Sequence, residues 1–242
     1  VVNSNMTLNE WYEVWLTTCK KNCRDTTKRT YAIQYNRLRE ELGWRKLSNL
    51  NLVIIQNAFN QLKSDSSRGD CKAVLVDILN RAMETDLINK NVALSVNTKI
   101  EGKEQTEKRV LTTEEIQLLY QSAKDSSLYP FFILALNTGM RMGEILGLTW
   151  DCVDFENGII HVEKTLCYLP NNGKAIYEFH PPKSKAGKRN IPMSKQVKEV
   201  LQEQRIWHED MTTRFQPQQG FEDLVFTSKT NRPIHESNIR SS

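Results

Sequence analysis

Basic and hydroxyl side chains are concentrated at two predicted helix starts in the first hundred residues. The first group is Lys20, Lys21, Arg24, Thr26, Thr27, Lys28 and Arg29, and the second is Ser66, Ser67, Arg68 and Lys72. A helix N-terminus exposes backbone N–H groups that favour anions, and nearby hydroxyls add further donors. The pattern therefore predicts contacts with DNA phosphates, which position a protein without reading base sequence. Ordinary helix capping is the alternative explanation for part of the serine and threonine usage.

The charge of the chain is unevenly distributed in a way that favours the same partner. The 242 residues carry a formal net charge of +4. Residues 1–100 hold 15 Lys and Arg against 10 Asp and Glu, so this part carries +5 and the remainder carries −1. A basic half indicates a polyanionic partner, although a solvated helical surface gives the same count.

Composition excludes several classes of protein. Hydrophobic residues make up 39% of the chain and charged residues 26%, which is typical of a folded domain and not of a disordered or fibrous chain. The longest apolar run, at 131–136, is far shorter than the ~20 residues that a membrane-spanning helix needs. The five cysteines are odd in number and lack the paired spacing of zinc ligands. We therefore expect a reduced cytoplasmic setting, with no metal site and no membrane contact.

Apolar residues at helical spacing predict a helical bundle in residues 1–98. The four stripes are Leu8, Trp11, Trp15 and Leu16; Tyr31, Tyr35, Leu38 and Leu42; Leu52, Ile55, Phe59 and Leu62; and Val74, Leu75, Ile78, Leu79 and Ala82. Helix caps are expected at 25–27, near 48 and at 66–67. The charged stretch 99–109 has few large apolar residues and is the predicted linker.

Residues 110–242 are predicted to mix helices and strands. The run Thr112-Thr113-Glu114-Glu115 before an apolar stripe fits a capping box. Further helices are predicted at 127–137, 141–148 and 196–207. Strands are predicted at 158–162, 175–179 and 189–193; a turn at 171–173 joins the first two, and Pro192 marks a sheet edge or strand end. The predicted fold class is an α-helical bundle followed by a mainly α, α+β domain with a small antiparallel sheet.

Two motifs in the second half resemble those of the tyrosine recombinase, or phage integrase, family. Residues 137–151, N-T-G-M-R-M-G-E-I-L-G-L-T-W-D, contain the T-G-x-R-x-x-E pattern of the first catalytic arginine. Residues 182–193, P-K-S-K-A-G-K-R-N-I-P-M, are similar to the family's hairpin lysine and the basic strand that follows it. The order of the elements also matches, so the resemblance implies a SAM-like core-binding domain before a catalytic domain. The hairpin insert at 167–174 is similar to that of integrases from conjugative transposons and related phages.

The resemblance implies a site-specific recombinase of a mobile element, acting in integration and excision. Such enzymes exchange DNA strands through a 3′-phosphotyrosine and a free 5′-hydroxyl, and they need neither ATP nor a metal cofactor. The implied partners are double-stranded DNA core sites, a homotetramer on two duplexes, and accessory excision or host DNA-bending factors. The implied location is the bacterial cytoplasm, at the nucleoid, with the two domains closing around the DNA.

The resemblance also assigns roles to individual residues. Arg141 would bind the non-bridging phosphate oxygens, supported by Thr138, Gly139 and Glu144. Lys185 would be the general acid for the 5′-oxygen, although Lys183 and Lys188 compete for that role; these two and Arg189 are expected to contact DNA. The alternatives are a helix-surface Arg141 paired with Glu144 at i+3, and a Lys185 that only contacts phosphate.

The sequence departs from the family pattern near its end. His235 has Asn238 three residues later, so it does not form the family's H-x-x-R box. The seven tyrosines, from Tyr12 to Tyr177, all precede the expected position of the nucleophile. We therefore expect the sequence to stop short of both features and to be inactive alone. The alternative function is a non-catalytic DNA-binding or regulatory module with the same fold; a metal-dependent nuclease would need an Asp/Glu/His cluster that the sequence does not show.

Overall fold

The computed structural model describes residues 5–100, 109–171, 174–182 and 184–240. The chain folds as two compact units, Val1–Glu107 and Lys108–Ser242, and each has its own hydrophobic core. The division into 1–98, a linker at 99–109 and 110–242 stays a prediction, since most of that linker lies outside the described residues. Within the described ranges, no helix combines the length and the apolar character needed to cross a bilayer.

The described part of the first unit is a bundle of α-helices, as predicted. The helices are α1 (Leu8–Val14), α2 (Asp25–Leu42), α3 (Leu52–Asn60) and α4 (Asp65–Glu84); a π-helical turn, Trp15–Cys19, extends α1, and 3-10 turns lie at Leu47–Asn49 and Val92–Ser95. The predicted stripes form the core, where Trp15, Tyr35, Phe59 and Ile78 are almost completely buried. Leu52 is the exception among the stripe residues, since it is 40% exposed.

The helix starts of the first unit differ from the predicted caps. α4 begins directly after Ser64, whose extended backbone lets its Oγ accept the N–H of Ser67 at 3.1 Å. The two serines expected to cap this helix therefore lie in its first turn. α3 is capped by Asn51, three residues later than expected. α2 has no side-chain cap, and its expected caps at 25–27 form the first turn.

The second unit, in its described part, combines helices with two small antiparallel sheets, which confirms the predicted fold class. The helices are α5 (Thr113–Ala123), α6 (Tyr129–Thr138), α7 (Met142–Leu146), α8 (Lys195–Arg214) and α9 (Glu236–Arg240). The strands are β1 (Val153–Asp154), β2 (Ile159–Val162), β3 (Thr165–Asn171), β4 (Lys174–His180) and β5 (Arg189–Pro192). The predicted capping box is present, because Thr112 accepts the N–H of Glu115 and the Glu115 carboxylate accepts the N–H of Thr112.

The strand pairing differs from the prediction in one respect. β4 pairs with β3, with Tyr168 opposite Tyr177, and not with β2. The sequence pattern misses β3 because Pro170, which cannot donate to a ladder, interrupts it near its end. β2 lies between β1 and β5, and Pro192 ends β5 at the edge of that sheet, as predicted. Two residues of the predicted turn, 172 and 173, lie outside the described residues.

The core of the second unit is closed by α8 and by a short buried segment at 224–226. α8 extends to Arg214, beyond its predicted end at residue 207. Its buried face continues through Gln204, His208 and Met211, and the apolar pattern missed this continuation because two of these side chains are polar. The Val225 N–H donates to the carbonyl of Leu148 at 2.9 Å. This contact fixes the chain immediately after α7.

Candidate active site

Arg141 stands at the start of α7, after a sharp turn of the backbone. α6 is followed by Gly139, whose φ of 61° lies in the left-handed region that favours glycine. The Thr138 hydroxyl donates to the carbonyl of Leu134 at 2.5 Å and closes the last turn of α6. Arg141 has an extended backbone, and its side chain is 77% exposed. The predicted supporting residues Thr138 and Gly139 thus shape the turn that presents Arg141.

Glu144 lies in the first turn of α7 and is only 4% exposed. Its Oε1 accepts from Arg141 Nη1 at 2.9 Å and from Arg189 Nη1 at 3.2 Å. Its Oε2 accepts from the Arg141 backbone N–H at 2.9 Å and from Arg189 Nη2 at 2.8 Å. Burial alone would raise the pKa of Glu144, but the hydrogen bonds from Arg189 and Arg141 outweigh it and lower the pKa to about 2. The carboxylate is therefore charged throughout the physiological range.

Arg189 reaches Glu144 from β5, where it pairs with Val162 of β2. Its side chain is 30% exposed, and Nη1 also donates to the carbonyl of Gly187 at 3.3 Å. The hydrogen bond to Glu144 raises the pKa of Arg189. The prediction that Arg189 contacts DNA is not supported by this geometry, since both terminal nitrogens face protein acceptors. Nothing in the sequence pattern marks Arg189 as the partner of a carboxylate 45 residues earlier.

Two glycines of the α7 segment allow β3 to approach its backbone closely. A Cβ added at Gly143 would lie 2.6 Å from Thr165 Oγ1, and one at Gly147 would lie 2.6 Å from the Leu166 nitrogen. Both distances are shorter than real Cβ contacts. At Gly147 the neighbour is backbone, so any larger residue would force the chain away from β3, whereas at Gly143 the Thr165 side chain would have to move. Neither the apolar nor the charge pattern of the sequence indicates this role, and the i, i+4 spacing of the two glycines is the local signal that could have indicated it.

The three candidate lysines follow β4 in the segment that leads to β5. Lys183 lies outside the described residues. Lys185 begins a 3-10 turn, Lys185–Gly187, but the position of its side chain is outside the described part of the chain. Lys188 is exposed. Which lysine serves as the general acid therefore remains open, and the preference for Lys185 stays a prediction.

Three of the predicted DNA contacts in the first unit are held by protein groups. Arg68 is only 7% exposed, and its Nε, Nη1 and Nη2 donate to the carbonyls of Leu62, Lys99 and Asn60. The prediction that Arg68 contacts DNA is therefore wrong: it is a buried structural residue. The physical reason is that three backbone carbonyls converge at the first turn of α4, where the sequence pattern suggested an exposed helix start.

Lys72 and Lys20 differ from the prediction in the same way. Lys72 is half-buried, and its Nζ donates to the Val96 carbonyl at 2.7 Å. Lys20 Nζ pairs with Asp77 at 2.5 Å and lies over the ring of Trp15. Burial would lower the pKa of Lys20, but the hydrogen bond to Asp77 outweighs it and raises the pKa. Both ammonium groups therefore tie elements of the first unit together.

The remaining predicted contacts of the first unit lie at its surface. Lys21, Arg24, Arg29 and Ser66 are exposed, and Thr26, Thr27, Lys28 and Ser67 are half-buried. Their contact with DNA stays a prediction. Within the described ranges, no three His, Cys, Asp and Glu side chains are grouped as they would be around a metal ion.

Comparisons with known proteins match a part of each unit to a family model. Residues 109–242 match the model of the phage integrase family, and residues 7–63 match the model of the phage integrase N-terminal SAM-like domain. A protein described as tyrosine recombinase XerC-like, from Caldanaerobacter subterraneus subsp. tengcongensis, is 29% identical over 178 residues, which are 68% of this chain and 46% of that protein. The transposase from transposon Tn916 of Enterococcus faecalis is 27% identical over 156 residues, which are 63% of this chain and 37% of that protein. The chain thus spans less than half the length of these two relatives.

Solved structures share the fold over nearly the whole chain. The Tn1549 transposon integrase in complex with transposon right end DNA gives a TM-score of 0.81 at 22% identity, covering 95% of this chain and 73% of that one. A lambda integrase tetramer bound to a Holliday junction gives a TM-score of 0.67 at 17% identity, covering 98% of this chain and 62% of that one. At these identities the likeness establishes the fold.

Proposed function

The chain belongs to the phage integrase family, and on that premise we propose that the protein is a site-specific DNA recombinase of a mobile genetic element. It cuts and rejoins DNA through a 3′-phosphotyrosine intermediate during integration and excision. The observation that carries this proposal is an exposed guanidinium, that of Arg141, anchored on the buried carboxylate of Glu144. The two relatives, described as a recombinase and a transposase, support the same reaction class.

Arg141 binds the non-bridging oxygens of the scissile phosphate in this proposal. A tyrosine oxygen attacks phosphorus, the bond from phosphorus to the 5′-oxygen breaks, and negative charge develops on the equatorial oxygens. The planar guanidinium can bridge two of these oxygens and keeps its charge near neutral pH. Glu144 holds Arg141 in position, and Gly139 and Thr138 form the turn that directs it. A donor aimed at developing charge is typically worth about 3 kcal/mol in the transition state.

Lys185 is the proposed general acid that protonates the departing 5′-oxygen. An ammonium group on a flexible stem suits this role, and Lys183 and Lys188 are its competitors. A DNA substrate with sulfur in place of the 5′-bridging oxygen decides among them, because a thiolate leaves without a proton. We expect this substrate to restore cleavage by the Lys185→Ala variant and not by an Arg141→Ala variant. Restoration for Lys183→Ala or Lys188→Ala instead would move the assignment to that lysine.

Double-stranded DNA at the core recombination sites is the proposed partner. The exposed or half-buried candidates for phosphate contact are Lys21, Arg24, Thr26, Thr27, Lys28, Arg29, Ser66, Ser67 and Lys188. Lys183, which lies outside the described residues, is a further candidate. We further propose that the complete protein acts as a homotetramer on two duplexes at the bacterial nucleoid, with accessory excision or DNA-bending factors. The finding of DNA in the structures of fold neighbours supports a DNA partner.

The test uses the complete gene product, because we assign the tyrosine nucleophile to no residue of this chain. The substrate is the junction formed when the ends of the mobile element are joined, with a nick that lets the cleaved strand diffuse away. We expect wild type to form a covalent protein–DNA adduct on a denaturing gel. Arg141→Lys should bind the junction but form at least about tenfold less adduct, since lysine lacks the bidentate fork. The matched control is Arg214→Lys, at an exposed ion pair with Asp210 in α8.

Two results would contradict the proposal. If Arg141→Lys formed as much adduct as wild type, Arg141 would have no role in the reaction. Specific binding by wild type without any adduct would favour a non-catalytic DNA-binding or regulatory module with the same fold.

A further inference from the structure

Arg189 and the proposed catalytic arginine, Arg141, share one partner, the buried carboxylate of Glu144. Arg189 lies in another element, β5, and places both terminal nitrogens on the two oxygens of Glu144. Its side chain is 30% exposed, against 77% for Arg141. We propose that Arg189 is a positioning residue, which acts on Arg141 through Glu144 and does not contact DNA. This inference rests on the proposed function, because it concerns the arginine assigned to the phosphate.

The charges of the cluster explain why a second arginine is needed. Glu144 alone would hold Arg141 but would also cancel its positive charge, which weakens attraction to a phosphate. With Arg189 present, the three side chains sum to one positive charge, and the exposed member of the set carries it outward. The charged groups that contact Glu144 among the described residues are Arg141 from its own turn and Arg189 from β5. The second arginine thus neutralises the anchor and leaves Arg141 available.

The hydrogen bonds of Glu144 support the same two roles, in which Arg189 holds the carboxylate and Arg141 binds the phosphate. Its buried carboxylate accepts four hydrogen bonds, two from Arg141 and two from Arg189. A buried carboxylate with too few hydrogen-bond donors destabilises the fold, and its pKa rises, so that it takes up a proton more readily. When Arg141 turns toward a phosphate, the Arg189 bonds still hold the carboxylate charged and in place. Arg189 is itself fixed by β5 and by the Gly187 carbonyl, so the support comes from a paired strand.

The experiment compares Arg189→Gln, Arg189→Lys, Glu144→Gln and the double variant Arg189→Gln/Glu144→Gln in the complete gene product. Arg214→Gln is the matched control for the loss of one positive charge. We expect Arg189→Gln to form about tenfold less covalent adduct, since small displacements of a catalytic group have effects of this size. Its affinity for DNA and the salt dependence of binding should equal those of the control. Arg189→Lys should recover part of the loss because it keeps one charged donor to Glu144.

Two further readouts separate positioning from general structural damage. The double variant should be no more than about twofold worse than Glu144→Gln, because both changes break the same chain of contacts. In Arg189→Gln, the rate of adduct formation should decrease as pH falls from neutral. The reason is that Glu144 loses the two charged donors of Arg189 and keeps only those of Arg141, so its pKa rises. Wild type should show no such decrease above about pH 5, since its carboxylate stays charged there.

Three outcomes would overturn the proposal. If Arg189 touches DNA, Arg189→Gln lowers the slope of log affinity against log salt by about 0.9, and its effect adds to that of Glu144→Gln. If Arg189 has no influence on the site, adduct formation matches the Arg214→Gln control. Carbon NMR of the Glu144 carboxyl keeps the test independent of the reaction, since its pKa should rise in Arg189→Gln. Absence of any adduct in wild type would end the proposed function, and an unshifted carboxyl pKa would end this inference.

Discussion

The start of α4 and the start of α7 both gather cationic side chains, but the fold uses them in different ways. At α4, Arg68 is 7% exposed, and its three types of nitrogen all donate to neutral backbone carbonyls. At α7, the buried group is the carboxylate of Glu144, which draws Arg189 inward while Arg141 remains 77% exposed. The first region places a cation inside the protein, and the second places an anion there.

Under the proposed function, this difference concerns how an arginine is left available to a phosphate. Converging backbone carbonyls can occupy every face of a guanidinium, which then serves to hold chain segments together. A buried carboxylate instead fixes one side of a guanidinium and leaves its other nitrogens exposed, with the direction of the side chain set in advance. Under the proposed function, the number of basic residues near a helix start therefore does not decide phosphate binding. What decides it is how much of each guanidinium its protein partners leave exposed, which also separates Arg141 from Arg189.

The largest expected effect concerns the stability of the first unit. Arg68→Met removes the donors of three carbonyls at once, and leaving such groups without partners costs about 3 kcal/mol of unfolding free energy in total. Denaturant unfolding of the protein measures the change. Arg24→Met, at an exposed position, is the control and should alter stability by less than about 0.5 kcal/mol. If Arg68→Met left stability unchanged and weakened DNA binding, the contrast between the two regions would fail.

An intermediate effect is expected for the buried anion of the second region. The pKa of Glu144 lies near 2 in the folded protein and at 4.5 ordinarily, so its ionised form stabilises the fold above about pH 5. This contribution declines as pH falls from about 5 toward 2, because protons then bind the unfolded chain more strongly. We expect Glu144→Gln to lower the unfolding free energy by about 2 kcal/mol at neutral pH. The unfolding free energy of Glu144→Gln should also decrease less steeply than that of wild type as pH falls. An unchanged dependence on pH would contradict the claim that Glu144 is the buried, ionised carboxylate.

The smallest effect concerns the exposed cations near the start of α2. If Lys21 and Arg24 contact phosphates, replacing either by glutamine lowers the salt slope of DNA binding by about 0.9 and weakens affinity severalfold at physiological salt. Arg81→Gln is the control, since Arg81 pairs with Glu84 on the exposed side of α4. Equal slopes for all three variants would mean that this surface does not lie on DNA. Arg68→Met should also leave the slope unchanged.

Much of the fold could be predicted from local patterns, whereas the site could be predicted only in part. The Thr112–Glu115 capping box and the buried stripe that includes Tyr35 follow from interactions within one element. β3 and the buried state of Arg68 depend on groups brought from elsewhere, such as the Lys99 carbonyl, and no local spacing reveals them. The family motif located Arg141 and Glu144. The contact with Arg189 depends on the register of β5 against β2, which the sequence pattern does not determine.

The central claim is that Arg141 supplies charge to the scissile phosphate, and a substrate without that charge tests it most directly. A methylphosphonate at the cleaved position replaces one anionic oxygen by methyl. The transition state then carries one negative charge fewer than with a phosphodiester, so a cation that neutralises it matters much less. Adduct formation by wild type and by Arg141→Ala should be compared on this substrate and on the ordinary phosphodiester. We expect Arg141→Ala to be at least about a hundredfold slower on the phosphodiester and within about tenfold of wild type on the methylphosphonate. An equal loss on both substrates would contradict the claim.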